Sequence, residues 1–387
     1  MKKQSRFIAL GVVMLGAVMR VPITAIPPIL TDIANSFGVP VSDLGILTSI
    51  PLLMFALCSS LAPKLARRIG MERLMGIVLL VMALGSILRV LNLPSLYLGT
   101  ILVGATIAVI NVLLPSIVAA NFPRKIGLYT TLYITVMGLT STLASMVAVP
   151  VVSASSWQFF TILVTGLVGL AFVCWLPNMK EHHQEELILT TTSQSLWKNR
   201  AAVIFLIFSG LQSLLFYTEL TWLPTMAQTA GLEQAQAGFL AGIFSLVSIP
   251  VSMIIPGIVS RLKKEQRAIM MIGLSSLTVM GLVFILFAPA SFMVWLIIHL
   301  LLGVSVSSLF PYMMLSLSLK TSNSQATARL SGMVQTGGYL IAAVGPLVLG
   351  YSYSIVASWV PLVISLLLVT LVMMVTIFFI EKEDLIV

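Results

Sequence analysis

Apolar runs of about 20 residues recur along the chain and are separated by short polar stretches. A helix needs about that length to cross a hydrocarbon core of about 30 Å. The pattern predicts twelve such segments, at residues 7–29, 43–62, 74–91, 97–119, 126–151, 157–177, 201–224, 236–257, 268–288, 291–317, 328–350 and 355–380. Lipid supplies no partners for backbone N–H and C=O groups, so each segment must be a helix or belong to a closed barrel, and strand-like alternation is missing. All twelve are read as helices, which predicts an all-α membrane protein.

Composition agrees with this reading. The 387 residues are 59% hydrophobic and 9% charged, with a mean hydropathy of +1.09, whereas ordinary soluble chains carry about 25% charged residues. The net charge of +9 would suggest nucleic acid in a soluble protein, but its distribution points elsewhere. With the N-terminus placed inside, nineteen of the twenty-one Lys and Arg residues fall on the two tails and the even-numbered loops, counting Arg329 at the inner edge of the eleventh segment. The odd-numbered loops hold none, which is the asymmetry of cytoplasmic loops. Both termini are therefore expected in the cytoplasm. Lys2, Lys3 and Arg6 resemble the basic start of a secretory signal, but the apolar run behind them reaches at least Pro27 and is too long for one. Cys58 and Cys174 lie inside apolar runs without CxxC spacing and read as packed thiols.

The longest interior connection, residues 178–200, is polar and separates six spans from six. The expected organisation is a six-helix bundle over 1–177, a cytoplasmic linker over 178–200 and a second six-helix bundle over 201–387. His182 and His183 sit in that linker beside Glu181, Glu185 and Glu186, where a flexible segment offers a metal no fixed geometry. An internal repeat supports the division. Shifted by 193 positions, Gly45, Leu47, Pro63, Arg68 and Glu72 meet Gly238, Leu240, Pro256, Arg261 and Glu265; shifted by 196, Pro28, Pro115, Met137 and Pro150 meet Pro224, Pro311, Met333 and Pro346. Two six-helix halves with the same membrane orientation are parallel repeats, an arrangement that places a substrate site near the midplane.

The loop Pro63-Lys64-Leu65-Ala66-Arg67-Arg68-Ile69-Gly70-Met71-Glu72-Arg73 resembles a degenerate form of the major facilitator loop between helices two and three, with Arg67 in place of the usual acidic residue. The resemblance implies a gating role for Arg68 and Gly70. Further stretches are similar to the cyanate transporter and 2-nitroimidazole exporter (CynX/NimT) branch of that superfamily: Arg20-Val21, Leu47 to Arg68, Asn111-Val112-Leu113-Leu114-Pro115, Gly210-Leu211-Gln212-Ser213, Phe216-Tyr217, Trp222-Leu223-Pro224, Leu330-Ser331-Gly332-Met333, and Gly338-Tyr339 with Gly345-Pro346. The resemblance implies the major facilitator fold of two pseudo-symmetric bundles in a bacterial inner membrane. It also implies secondary transport of a small polar solute, either a cyanate-like or other small organic anion or a nitroimidazole-like heterocycle, by rocking of the bundles. The alternative is proton-coupled efflux of neutral antimicrobial compounds. Pro150 follows Val149, without the Gly-Pro motif that drug-proton antiporters carry in helix five, so a pump for cationic drugs is disfavoured.

The same resemblance puts helices one, four, seven and ten around the cavity. Arg20 and Thr24 share a face of helix one, one turn apart. Arg20 lies too deep to snorkel, so a partner is expected, either a negative or electron-rich group of the substrate or Glu219. Asn111, Gln212 and Gln335 are candidate substrate contacts, although amides in hydrocarbon also serve as glue between helices. Tyr217 and Tyr339 each offer an apolar ring with a polar tip. Glu219, the deepest carboxylate within a span, and His299 are the candidates for proton coupling. Arg89, at the outer end of the third helix, is expected to extend towards the interface. No nucleophile with a base and no metal cluster stands out, so the chain is not read as an enzyme, and no cofactor is expected. The expected partners are a small-molecule substrate, protons and the lipid bilayer, with no nucleic acid, for a chain that works as a monomer.

Overall fold

The computed structural model describes residues 3–59, 61–122, 124–180, 196–322 and 324–386. His182 and His183 of the expected linker lie outside these residues. Among the described residues the secondary structure is helical throughout, without strands. Twelve helical segments are long and apolar enough to span a membrane: Phe7–Phe37, Val41–Cys58, Met71–Leu88, Leu93–Val118, Leu128–Ala154, Trp157–Met179, Arg200–Thr229, Gln234–Val259, Lys264–Leu286, Phe292–Leu317, Arg329–Val356 and Val360–Lys382. They are numbered here as spans one to twelve.

Short polar residues set several of their ends. The Asn92 side chain accepts from Ser95 N at 2.9 Å, Ser156 Oγ accepts from Phe159 N at 3.2 Å, and Asn199 accepts from Ala201 N and Ala202 N at 2.9 and 3.2 Å. Each oxygen satisfies backbone donors that the first helical turn leaves without an intrahelical partner. Large aliphatic side chains such as Leu57, Leu128, Ile162, Val173, Ile269 and Leu368 are exposed. Apolar surface of that extent is the face a protein turns to lipid.

The described residues form two compact units, one from Met1–Val39 and Ile50–Thr191, the other from Pro40–Ser49 and Thr192–Val387. In the first unit, span one departs from the single helix expected over 7–29. It runs as Lys3–Val18, then Val21–Thr24, a 3-10 turn over Pro27–Ile29, and Leu30–Phe37. Proline explains the breaks, because it has no N–H and its ring crowds the carbonyl four residues earlier. Pro22 cannot donate to Val18, where the first helix stops, and Pro28 cannot donate to Thr24.

Neighbouring spans supply donors to the carbonyls near these breaks. Thr140 Oγ1 donates to Ala17 O at 3.0 Å and Ser145 Oγ donates to Thr24 O at 3.1 Å, both from span five. Ile26 N turns to Ile23 O, and Pro22 O instead accepts from Arg89 of span three at 2.6 Å. Spans three and four cross closely enough that a Cβ on Gly85 would lie 3.1 Å from Gly99 O, and one on Gly99 would lie 2.9 Å from Arg89 Cγ. Small residues permit such approaches between membrane helices.

The second unit is built on a seam between spans seven and eleven. A Cβ on Gly210 would come within 2.7 Å of Ile341, and one on Gly338 within 2.6 Å of Ser209 Oγ. At Gly345–Leu349 span eleven opens into a π-turn, and Trp222 Nε1 donates to Pro346 O at 2.9 Å. Pro40–Ser49 joins this unit because Gly45, lacking a side chain, fits against Trp222 and the Pro346 carbonyl, and because the Thr48 and Thr221 hydroxyl oxygens meet at 2.9 Å.

An ion cluster ties the ends of spans nine, ten and twelve together. Glu381 Oε2 lies 3.1 Å from both Arg267 and Lys320, and Tyr312 Oη donates to Glu381 Oε1 at 2.7 Å. Lys320 Nζ also donates to Glu383 O at 2.5 Å, and Asn199 Nδ2 donates to Ile386 O at 2.7 Å. Both Glu381 and Lys320 are buried. The neighbouring pair of Lys264 and Asp384, 2.9 Å apart, is exposed. There the hydrogen bond from Lys264 and then its charge hold the Asp384 carboxyl below the usual carboxylate range.

The two pairs differ in burial, and this yields a prediction. Glu381→Ala leaves two cations without their carboxylate and is expected to cost about 3–5 kcal/mol, seen as a lower thermal unfolding midpoint in detergent. Asp384→Ala, at a solvated pair, is expected to leave that midpoint unchanged.

Candidate functional site

In the first unit, Arg20 stands at the break of span one. It precedes the Val21–Thr24 turn with φ −121° and ψ −26° and is half-buried. Its carbonyl accepts from Ile23 N at 2.9 Å and Thr24 N at 3.0 Å, and Thr24 Oγ1 donates to it at 3.2 Å. Thr24 is thereby turned to its own backbone and buried. Asn111, on span four, is exposed although Ile110 and Leu113 beside it are buried. Pro115 lies four residues later, so the Asn111 carbonyl also lacks its ladder donor. This part of span four therefore presents an amide and a carbonyl on an accessible strip.

Arg68 is exposed. Gly70 joins the short helix Ala62–Ile69 to span three at φ 92°, a left-handed conformation that favours glycine. Glu72, in the first turn of span three, is buried, and its backbone carbonyl accepts from Trp175 Nε1 at 2.8 Å.

In the second unit, Gln212 is 1% exposed. Its Nε2 donates to Ser209 O at 3.2 Å and Ser213 Oγ at 2.6 Å, and approaches Met313 Sδ at 3.8 Å. The last of these reaches from span seven to span ten. Tyr217 is buried, its ring edge-on to Phe216 at 5.1 Å, and Thr221 Oγ1 donates to its carbonyl at 2.6 Å. Gln335 and Tyr339 are half-buried on consecutive turns of span eleven, and Gln335 Nε2 donates to Ser331 Oγ at 2.8 Å.

Glu219 is 1% exposed, and neither carboxyl oxygen has a partner among the described residues. A buried acid without cation or donor is costly as an anion, which is the condition a proton carrier requires. His299 is fully buried: Nδ1–H donates to Trp295 O at 2.7 Å, while Nε2 has no partner among the described residues.

Two features depart from the sequence reading. Arg89 does not extend to the interface; it is 3% exposed and bonded to Pro22 O. Glu219 is not alone as a buried carboxylate, since Glu72 and Glu381 are buried as well. Both stand at helix ends, where hydropathy predicts hydration. Basic residues at the same end, Arg267 and Lys320, were the available signal for Glu381. Among the described residues, no three His, Cys, Asp or Glu side chains gather as a metal site.

Residues 8–346 match the Major Facilitator Superfamily. The chain is 33% identical over 377 residues to the uncharacterized transporter YycB of Bacillus subtilis (strain 168), covering 96% of this chain and 92% of that protein. It is 32% identical over 359 residues to the 2-nitroimidazole transporter of Escherichia coli (strain K12), covering 91% and 90%, and 23% identical over 355 residues to that organism's cyanate transport protein CynX, covering 90% and 91%. Its fold is similar to that of the nucleoside transporter NupG, with a TM-score of 0.80 at 12% identity over 96% of this chain and 99% of that one. Twelve spans in order, a helix broken beside a deep arginine, and a family match over most of the length lead to one conclusion: the chain belongs to the major facilitator superfamily of membrane transporters and to the neighbourhood of its cyanate and 2-nitroimidazole members.

Proposed function

We propose that the protein is a secondary active transporter that moves a small polar solute, a cyanate-like or other small organic anion or a nitroimidazole-like heterocycle, by alternating access of its two bundles. The observation that carries this reading is the position of Arg20 at the break in span one. Membrane transporters bind substrate where helices are discontinuous, because backbone groups and charge can there face a cavity instead of lipid. A guanidinium offers a planar fork of donors to an anion or an electron-rich ring substituent. Asn111, Thr24, Gln212, Tyr217, Gln335 and Tyr339 are the proposed further contacts, and Arg68 with Gly70 the proposed gate. The solutes for which the 2-nitroimidazole transporter and the cyanate transport protein CynX are named support the solute class.

Proton-coupled efflux of neutral antimicrobial compounds is the second reading, favoured by the buried Glu219, whose carboxyl oxygens have no partner among the described residues, with His299 the other candidate for the proton. We place both termini in the cytoplasm of a bacterial inner membrane, with residues 178–200 as the linker, on the charge asymmetry of the loops.

In proteoliposomes, Arg20→Lys is expected to keep the protein folded and raise half-saturation about tenfold, because charge remains but the bidentate grip is lost. Unchanged half-saturation in both Arg20→Lys and Arg20→Ala would rule out the contact. Glu219→Gln is expected to retain substrate exchange and lose accumulation driven by a proton gradient; full accumulation would leave His299 as the remaining candidate. For the topology, a reporter active only in the periplasm and fused after Ile386 is expected to be silent, and activity would reverse the assignment.

A further inference from the structure

Arg89 poses an electrostatic problem that the transport reading does not address. It is 3% exposed, and its one hydrogen bond goes to the neutral carbonyl of Pro22. Its Nε has no partner, and no carboxylate pairs with it among the described residues. One turn earlier, Ser86 is 1% exposed, and its Oγ likewise has no partner among the described residues. A buried cation and a buried hydroxyl left in this state are costly. Both line one cavity, together with Pro22, Ala25, Ile26, Phe160, Thr161 and Val164. It has room for about one water-sized occupant, so a halide fits only with a small outward shift of the apolar walls and larger anions do not fit.

From this geometry we infer that the cavity is a binding site for one small monovalent inorganic anion of halide size, held by the Arg89 guanidinium and the Ser86 hydroxyl. Charge requires an anion, because a water molecule would satisfy the donors and leave the guanidinium uncompensated. Size excludes sulfate, phosphate and organic carboxylates. The apolar walls from Ala25, Ile26, Phe160 and Val164 suit a weakly hydrated halide better than a strongly hydrated anion. The ion would neutralise the side chain that holds the Pro22 carbonyl, and so would fasten span one at its break. It is a structural ion, separate from the transported solute, and its binding is expected to raise the stability of the folded protein.

The test is thermal unfolding of the purified protein in detergent, at matched ionic strength, in sodium chloride, bromide, sulfate and gluconate. Chloride and bromide are expected to raise the midpoint by about 3 °C over gluconate and sulfate. General salt effects run the other way, since sulfate is the stronger stabiliser by exclusion from the protein surface. Arg89→Gln is expected to abolish the halide response. Should that variant fail to fold, Ser86→Ala keeps the cation and removes one hydrogen bond, and the chloride concentration for half the effect is expected to rise about fivefold. A midpoint in gluconate equal to that in chloride, a halide response that survives Arg89→Gln, or an unchanged chloride requirement in Ser86→Ala would each overturn the site.

Discussion

Backbone polar groups within a bilayer have no water to fall back on, and much of the described architecture follows from how they are satisfied. Where span one breaks, the Ala17 carbonyl is met by Thr140, the Pro22 carbonyl by Arg89 and the Thr24 carbonyl by Ser145. The break therefore depends on spans three and five, and it is the break that gives Arg20 an irregular backbone setting deep within an apolar segment. Elsewhere the same constraint appears as Trp222 reaching Pro346 across the seam of spans seven and eleven. Helix irregularity and side-chain donors are thus matched in position, and the candidate solute contacts lie close to such matches.

The spans were legible from run length because hydrocarbon thickness dictates helix length. Their ends were partly legible because Asn92, Ser156 and Asn199 have the chemistry of N-caps. Pro22, Pro27 and Pro28 are visible as well, but a hydropathy window averages over them, so the sequence alone predicts a single helix there.

Rotation about the helix axis was not legible. Hydropathy locates a residue along the membrane normal and says nothing of the direction it faces. Asn111 and Gln212 carry the same amide near mid-depth, yet the first is exposed and the second packed between helices. The burial of Arg89 escapes hydropathy for a related reason: the end of a span is hydrated only where no neighbour covers it, and the glycine crossing of spans three and four lets one do so. Glu72 and Glu381 are buried by tertiary packing in the same way, beside Trp175 and Tyr312 respectively.

The ion cluster at the end of span twelve also bears on how the protein is made. Arg267 and Lys320 precede Glu381 in the chain, so a ribosome delivers both cations to the membrane before their carboxylate exists. Until span twelve is inserted, spans nine and ten hold positive charge that only a water-exposed, loosely assembled state can accommodate. A message truncated upstream of Glu381 would leave a nearly full-length polypeptide unable to close this end of its second unit. Such a chain would present quality-control proteases with unpaired cations, and the cell could discard it before it carried any solute.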